Sequence, residues 1–397
     1  MSDVTNLIQK KTESRSSGLV WLALPLLLLG LAIAWIITTD PLKALNSSAP
    51  PIESLTYERT VLDETGLHLL VRAGGSEPML IAQVQVDDAY WQFTQRPEGP
   101  IARGSSAWID IPFPWMLGET HFVLAVTNSG ATFDHEIAVA LPTPKGTWDQ
   151  LIPQALVGII VGILPVVLGM MCYPALRNAG QDLMNFLLAL TIGLLAFLFV
   201  DTILEALEFS SESAALFQGP VMVILAAALS FLGLVAIGRR SGVPSGLALS
   251  TFIAIGIGLH NLGEGLAIGA AYAAGAAGLG SFLVIGFAVH NITEGIGIVA
   301  PVLKSRPSIA SLSGLALIAG GPAILGMWLG SLAYAPHWSA LALGIGAGAI
   351  LQVIIEVVAY LKRQTAAENH ELLSPSAISG FLAGVAFMYV TAAFVKI

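Results

Sequence analysis

Residues 247–272 read LALSTFIAIGIGLHNLGEGLAIGAAY. A helix rising ~1.5 Å per residue needs roughly 20 residues to cross a bilayer, and this stretch is long enough. His260 and Glu264 stand in its middle, in the hexamer HNLGEG. An ionisable group at that depth costs about 3 kcal/mol on insertion scales and marks a functional site by default. Thirty residues on, in the next apolar stretch, the hexamer HNITEG carries His290, Asn291 and Glu294 in the same order. The repeated H-N-x-x-E-G therefore falls on two consecutive spans that run in opposite senses.

Further apolar stretches surround this pair. From Leu151 onward there are eight, at about 151–173, 183–206, 219–238, 247–272, 279–303, 309–333, 339–361 and 376–395. The linkers alternate in charge. One set holds Arg177, Arg239 with Arg240, Lys304 with Arg306, and Lys362 with Arg363; the other set (207–218, 273–278, 334–338) has no Lys or Arg. Basic loops stay in the cytoplasm, so the alternation supports eight helices and fixes their orientation. It leaves the C-terminus, with Lys396, extracytoplasmic.

Ahead of the helices lie three other segments. Residues 1–17 are polar, with Lys10, Lys11 and Arg15, and read as a cytoplasmic N-terminus. Residues 18–39 are apolar and uncharged and read as an uncleaved signal-anchor helix. Residues 40–150 carry a net charge of −8 and read as an extracytoplasmic β-rich domain. Short Val/Ile-rich runs at 67–73, 79–86, 107–113, 121–127 and 136–141 alternate with turn signals, which suggests a small all-β sandwich. The expected fold class is thus an all-α polytopic bundle of eight helices, plus one anchor, with a small extracytoplasmic sandwich.

Composition excludes several classes. Of 397 residues 55% are hydrophobic and 11% charged, and the mean hydropathy is +0.79, against roughly 25% charged in soluble domains. A net charge of −9 argues against nucleic acid as a partner. The single cysteine, Cys172, excludes a disulfide framework and a Cys-rich zinc site.

The repeated hexamer has a physical meaning. His and Glu at i and i+4 share one helix face, with Asn at i+1 near its edge. Facing each other, His260, Glu264, His290 and Glu294 bring two imidazoles and two carboxylates together, flanked by Asn261 and Asn291. These are ligands for borderline to hard divalent ions: Zn²⁺ first, then Fe²⁺, Mn²⁺, Cd²⁺ and Co²⁺. The plain alternative is polar glue between two helices. Asp201, Glu205 and Glu208 share a face of the second helix, and Gln352 and Glu356 stand on the seventh, so Asp201, Glu205 and Glu356 extend a cation path above and below the midplane. His68, His121 and His135 read as surface or packing histidines, and His337 as a solvated loop residue.

The sequence from 151 to 397 resembles the ZIP (Zrt/Irt-like) family of divalent metal transporters. HNLGEGLAIG (260–269) is similar to that family's fourth-helix signature and HNITEG (290–295) to its fifth. VDTILEALE (200–208) is similar to the second-helix stretch, without its proline, and AGAILQVIIEV (347–357) to the seventh. The resemblance implies a binuclear centre. One site would use His260, Glu264, His290 and Glu294; the other would use Asn261 and Asn291, with Glu264 and Glu294 bridging. Where the family adds a sixth-helix Glu before Pro, this chain has Gly321–Pro322, which implies a weaker or vacant second site. A histidine-rich loop between the third and fourth helices is missing, replaced by RRSGVPSG (239–246).

The expected function is therefore import of divalent metal, zinc favoured, in a bacterial inner membrane, and not an enzymatic reaction. No P-loop is present to couple it to ATP, and H-N-x-x-E lacks the second His of the H-E-x-x-H metalloprotease motif. The alternative is a membrane sensor or receptor whose β-domain binds a ligand. That domain is open to three roles: sensing, recruiting, or pairing two copies into a homodimer. The lipid bilayer and the metal ions are the other partners.

Overall fold

A computed structural model of the chain describes residues 21, 23–36, 38–39, 52–240, 242–273, 277–333, 335–367 and 371–395. The polar segment 1–17 and most of 40–52 lie outside the described residues. The chain divides into two compact units, Met1–Ile52 and Glu53–Ile397. In the first, the described part of the 18–39 stretch is helical over Ala23–Ile36 (α1), with its side chains exposed.

The second unit begins with eight strands: β1 (Leu55–Asp63), β2 (Gly66–Ala73), β3 (Ile81–Val86), β4 (Ala89–Trp91), β5 (Thr94–Arg96), β6 (Ser106–Ile111), β7 (His121–Thr127) and β8 (Thr132–Ile137). They form two antiparallel sheets, ordered β1-β2-β6-β5 and β4-β3-β7-β8. Alternation decides which side faces in. Leu67, Leu69 and Val71 of β2 are buried while His68, Leu70 and Arg72 between them are not. Ile109 and Ile111 join them from one sheet, and Ile81, Val84, Val86, Val123 and Ala125 from the other, in one apolar core. One strand expectation shifts: the last strand is Thr132–Ile137 rather than 136–141. Strands β1, β4 and β5 lie outside the expected runs, β1 because charged Glu58 and Arg59 mask its alternation.

Among the described residues, eight helices long and apolar enough to cross a membrane follow, as expected from the sequence. The first span, Trp148–Leu176, is broken into α2 (Trp148–Gly158), a π-helical turn (Ile159–Ile163), α3 (Leu164–Met170) and α4 (Tyr173–Leu176). Then come α5 (Gln181–Ser211), α6 (Gly219–Gly238), α7 (Gly246–Ala273) and α8 (Ala277–Val299). The sixth span is broken at Gly321 into α9 (Ile309–Gly320) and α10 (Pro322–Ala333); α11 (Pro336–Ala367) and α12 (Pro375–Val395) complete the set. Proline causes both breaks: Pro165 and Pro322 have no N–H for the ladder. Helices α7 and α8 pack on the broken spans, whereas α5, α6, α11 and α12 pack chiefly on one another, and α11 joins the groups through α7.

The β-layer is bonded to the bundle. Arg59 Nη2 donates to Leu332 O at 2.7 Å, a carbonyl freed by the end of α10. Buried Glu58 accepts both Nε (2.6 Å) and Nη2 (3.0 Å) of Arg72. The Arg72 guanidinium lies 5.4 Å from the ring centre of Phe217, before α6, and Phe217 stacks on His337 at 4.3 Å. His337 is thus buried at the start of α11 rather than solvated in a loop. The flat Phe217 ring covers it.

Candidate metal centre

Helical spacing puts Glu264 one turn beyond His260, and their hydrogen bond measures 3.0 Å (Nε2 to Oε1). His260 lies as far from the end of α7 at Ala273 as His290 lies from the start of α8 at Ala277. The two motifs therefore meet at one level. His290 Nε2 lies 2.7 Å from the same Glu264 Oε1, and Asn291 Nδ2 donates to Oε2 at 3.1 Å. The imidazole centres are 6.3 Å apart. One ligand atom each from His260, His290 and Glu294 lie within 4.8 Å of one another.

All six motif residues are buried: His260, Asn261, Glu264, His290, Asn291 and Glu294 are 0–3% exposed. Burial makes unmet polarity expensive. Yet among the described residues no hydrogen bond within 3.5 Å reaches either oxygen of Glu294, whose nearest donor is the Asn261 amide, nor Oδ1 of Asn261 or Asn291. Four buried oxygens without such bonds, beside two imidazoles, form a set that a cation would satisfy. The amide nitrogens are otherwise engaged, Asn261 Nδ2 with Ala319 O and Asn291 Nδ2 with Val161 O, each at 3.0 Å. The glycine that follows each glutamate is required by close approach. A Cβ at Gly265 would overlap Ala323 O, and one at Gly295 would overlap Val166 O.

Comparison with known proteins finds no family model that matches the chain and no curated protein that matches it. What the residues can do is therefore argued from their own chemistry. Two imidazoles and two carboxylates, without thiolate, suit Zn²⁺ and its first-row neighbours better than Cu⁺.

The remaining expected residues lie outside this group. Asp201 and Glu205 are half-buried on α5. Glu356 is buried on α11, with Oε1 3.6 Å from Arg239 Nη2 and Oε2 without a partner. Gln352 is buried one turn away, its Oε1 also unpartnered. Sequence reasoning used Arg239 only as a marker of orientation and missed its contact with Glu356. The available signal was its place directly after an apolar run. It also missed the backbone carbonyls of Val161 and Ala319, which carry no residue-type signal; only Pro165 and Pro322 hint at them.

Proposed function

We propose that this chain transports divalent metal cations across a membrane, zinc favoured, through the His260, Glu264, His290 and Glu294 group. One observation carries the reading: two imidazoles and a buried carboxylate without a close donor converge from consecutive apolar helices. A structural polar cluster would be expected to satisfy its own carboxylates; Glu294 is left for a cation. The repeated hexamer and its likeness to the ZIP family support the same reading. In it, Asp201 and Glu205 attract the hydrated ion from the side of the β-domain. The motif residues replace its water, and Glu356 receives it towards the cytoplasm. The two broken spans flanking α7 and α8 suit alternating access, because discontinuous helices line such sites in transporters.

The test is zinc uptake into liposomes holding the full chain. Glu264→Ala and Glu294→Ala should each abolish it. Flux at the unsubstituted level in both variants would remove the proposal.

A further inference from the structure

Each hexamer sets an asparagine one residue after its histidine and a glycine four residues after that asparagine. On α7 these are Asn261 and Gly265, and on α8 they are Asn291 and Gly295. Both pairs touch a broken span. Asn261 bonds Ala319 O and Gly265 abuts Ala323 O; Asn291 bonds Val161 O and Gly295 abuts Val166 O. The contacted carbonyls are four residues apart in the sixth span and five apart in the first. The extra residue is accommodated by the π-helical turn Ile159–Ile163. One contact is therefore built twice, and the π turn absorbs the mismatch between the copies.

The bonded carbonyls are unusual. Pro165 has no N–H, so Val161 O lacks the donor that an unbroken α-helix would supply. In the sixth span Pro322 deprives Ile318 O in the same way, and Asn261 bonds the next carbonyl along, Ala319 O, in the last turn of α9. In a bilayer such groups must be satisfied by neighbouring side chains or helices. Asn291 does this with one N–H and gives its other N–H to Glu264 Oε2.

We infer that Asn261 and Asn291 are positioning residues, each latching a motif helix to the backbone at the break of a flanking span. The latch on Asn291 ties that break directly to a carboxylate of the metal group. This role goes beyond ligation through Oδ1, and it rests on the transport reading only for its metal-binding readout.

The experiment uses the full chain in detergent. It measures Co²⁺ affinity by the visible absorption of the bound ion, and amide hydrogen exchange over 159–166 without metal. If Asn291 served only as an oxygen ligand, Asn291→Asp would keep that oxygen and bind Co²⁺ at least as tightly. As a latch it fails, because a carboxylate oxygen then faces Val161 O. Affinity should fall about tenfold or more, as when outer-shell partners are lost, and exchange over 159–166 should quicken. Asn291→Ala should behave alike, and Pro165→Ala added to it supplies the missing N–H and restores protection. If the single variants do not fold, recovery of folded protein by Pro165→Ala is the rescue a latch requires. Unchanged exchange in Asn291→Asp, or no rescue by Pro165→Ala, overturns the inference. The exchange arm needs no metal, so a chain that bound none would sink the transport reading and leave this one standing.

Discussion

Glu264 Oε1 stands 2.7 Å from Nε2 of His290, an imidazole carried by the neighbouring span. The same oxygen serves His260, and Oε2 serves Asn291. The two motif glutamates are thus unequal without metal: among the described residues Glu264 holds three donors, whereas Glu294 has only the longer approach of the Asn261 amide. Removing Glu264 strands buried donors, at about 1–3 kcal/mol each. Removing Glu294 deletes a buried carboxylate that has no close partner, which is neutral or stabilising. Metal-free Glu264→Ala should therefore melt well below the unsubstituted chain in detergent, and metal-free Glu294→Gln at or above it. The rise in melting temperature with Zn²⁺ should be lost in both. Equal metal-free losses would show that the asymmetry is not real.

The broken spans cross at backbone contact. A Cβ on Gly320 would lie 2.6 Å from the carbonyl carbon of Gly162 and 2.5 Å from Ile163 Cα. No side-chain adjustment relieves such an overlap, so Gly320→Ala should destabilise by about 3 kcal/mol or more. Gly314, two turns earlier on α9, has nothing within 4 Å of its would-be Cβ. Gly314→Ala should be neutral or stabilising by about 0.5–1 kcal/mol. Thermal melts of the two variants side by side check the crossing, and equal melting temperatures would argue against it.

Much of this was legible because it is written in period and charge. The eight spans stand out by apolar length, and the centre by ionisable groups placed where hydrocarbon should exclude them. Strands β2, β3, β6 and β7 stand out by alternation. What failed had a physical cause. Glu58 and Arg59 hide β1 because their partners, Arg72 on β2 and Leu332 O on α10, lie outside the sheet's apolar core. His337 read as solvated because its cover, Phe217, lies 120 residues away along the chain. The latches of Asn261 and Asn291 end on backbone carbonyls, which every residue possesses and no pattern marks.

Glu58 on β1 is 3% exposed, accepts both Nε and Nη2 of Arg72 on β2, and lies 3.8 Å from His337 Nδ1 at the start of α11. Arg72→Ala leaves that carboxylate buried without its hydrogen-bonded cation, at a cost of about 3–5 kcal/mol. It also takes the cation from the Phe217 ring. Glu58→Ala with Arg72→Ala should cost less than Arg72→Ala alone, because no stranded charge remains. Chemical denaturation of the three variants measures the coupling. A strictly additive double variant would mean that the two side chains are not coupled.

The β-layer should also respond to acid through groups whose signs differ. Burial pushes His135 down to about 4, only partly offset by Asp134; its ring stacks on Tyr57 and bonds Thr60 Oγ1 at 2.8 Å. The folded value lies below the ordinary 6.5, so the unfolded chain binds the proton first. His135 thus contributes fully above 6.5, and about 3 kcal/mol is lost as pH falls from there towards 4. Asp63 is held down to about 2, first by the Thr65 hydroxyl, then by the Thr65 N–H and His68, against the opposing effect of burial. Its contribution is present above the ordinary 3.8 and disappears between there and 2. His68 runs the other way. Burial opposes its charge, but bonds to Asp110 (2.6 Å) and Asp63 (3.2 Å) outweigh that and raise it. Its contribution is complete below 6.5 and is lost as pH climbs through the raised value. Denaturation of the full chain across a pH series separates the three. His135→Gln should flatten the slope between 6.5 and 4 and leave the loss below 4, whereas His68→Gln should flatten the alkaline side and, by taking a partner from Asp63, lessen the loss below 3.8. An unchanged acid slope in His135→Gln would mean that this histidine is not held neutral by its surroundings.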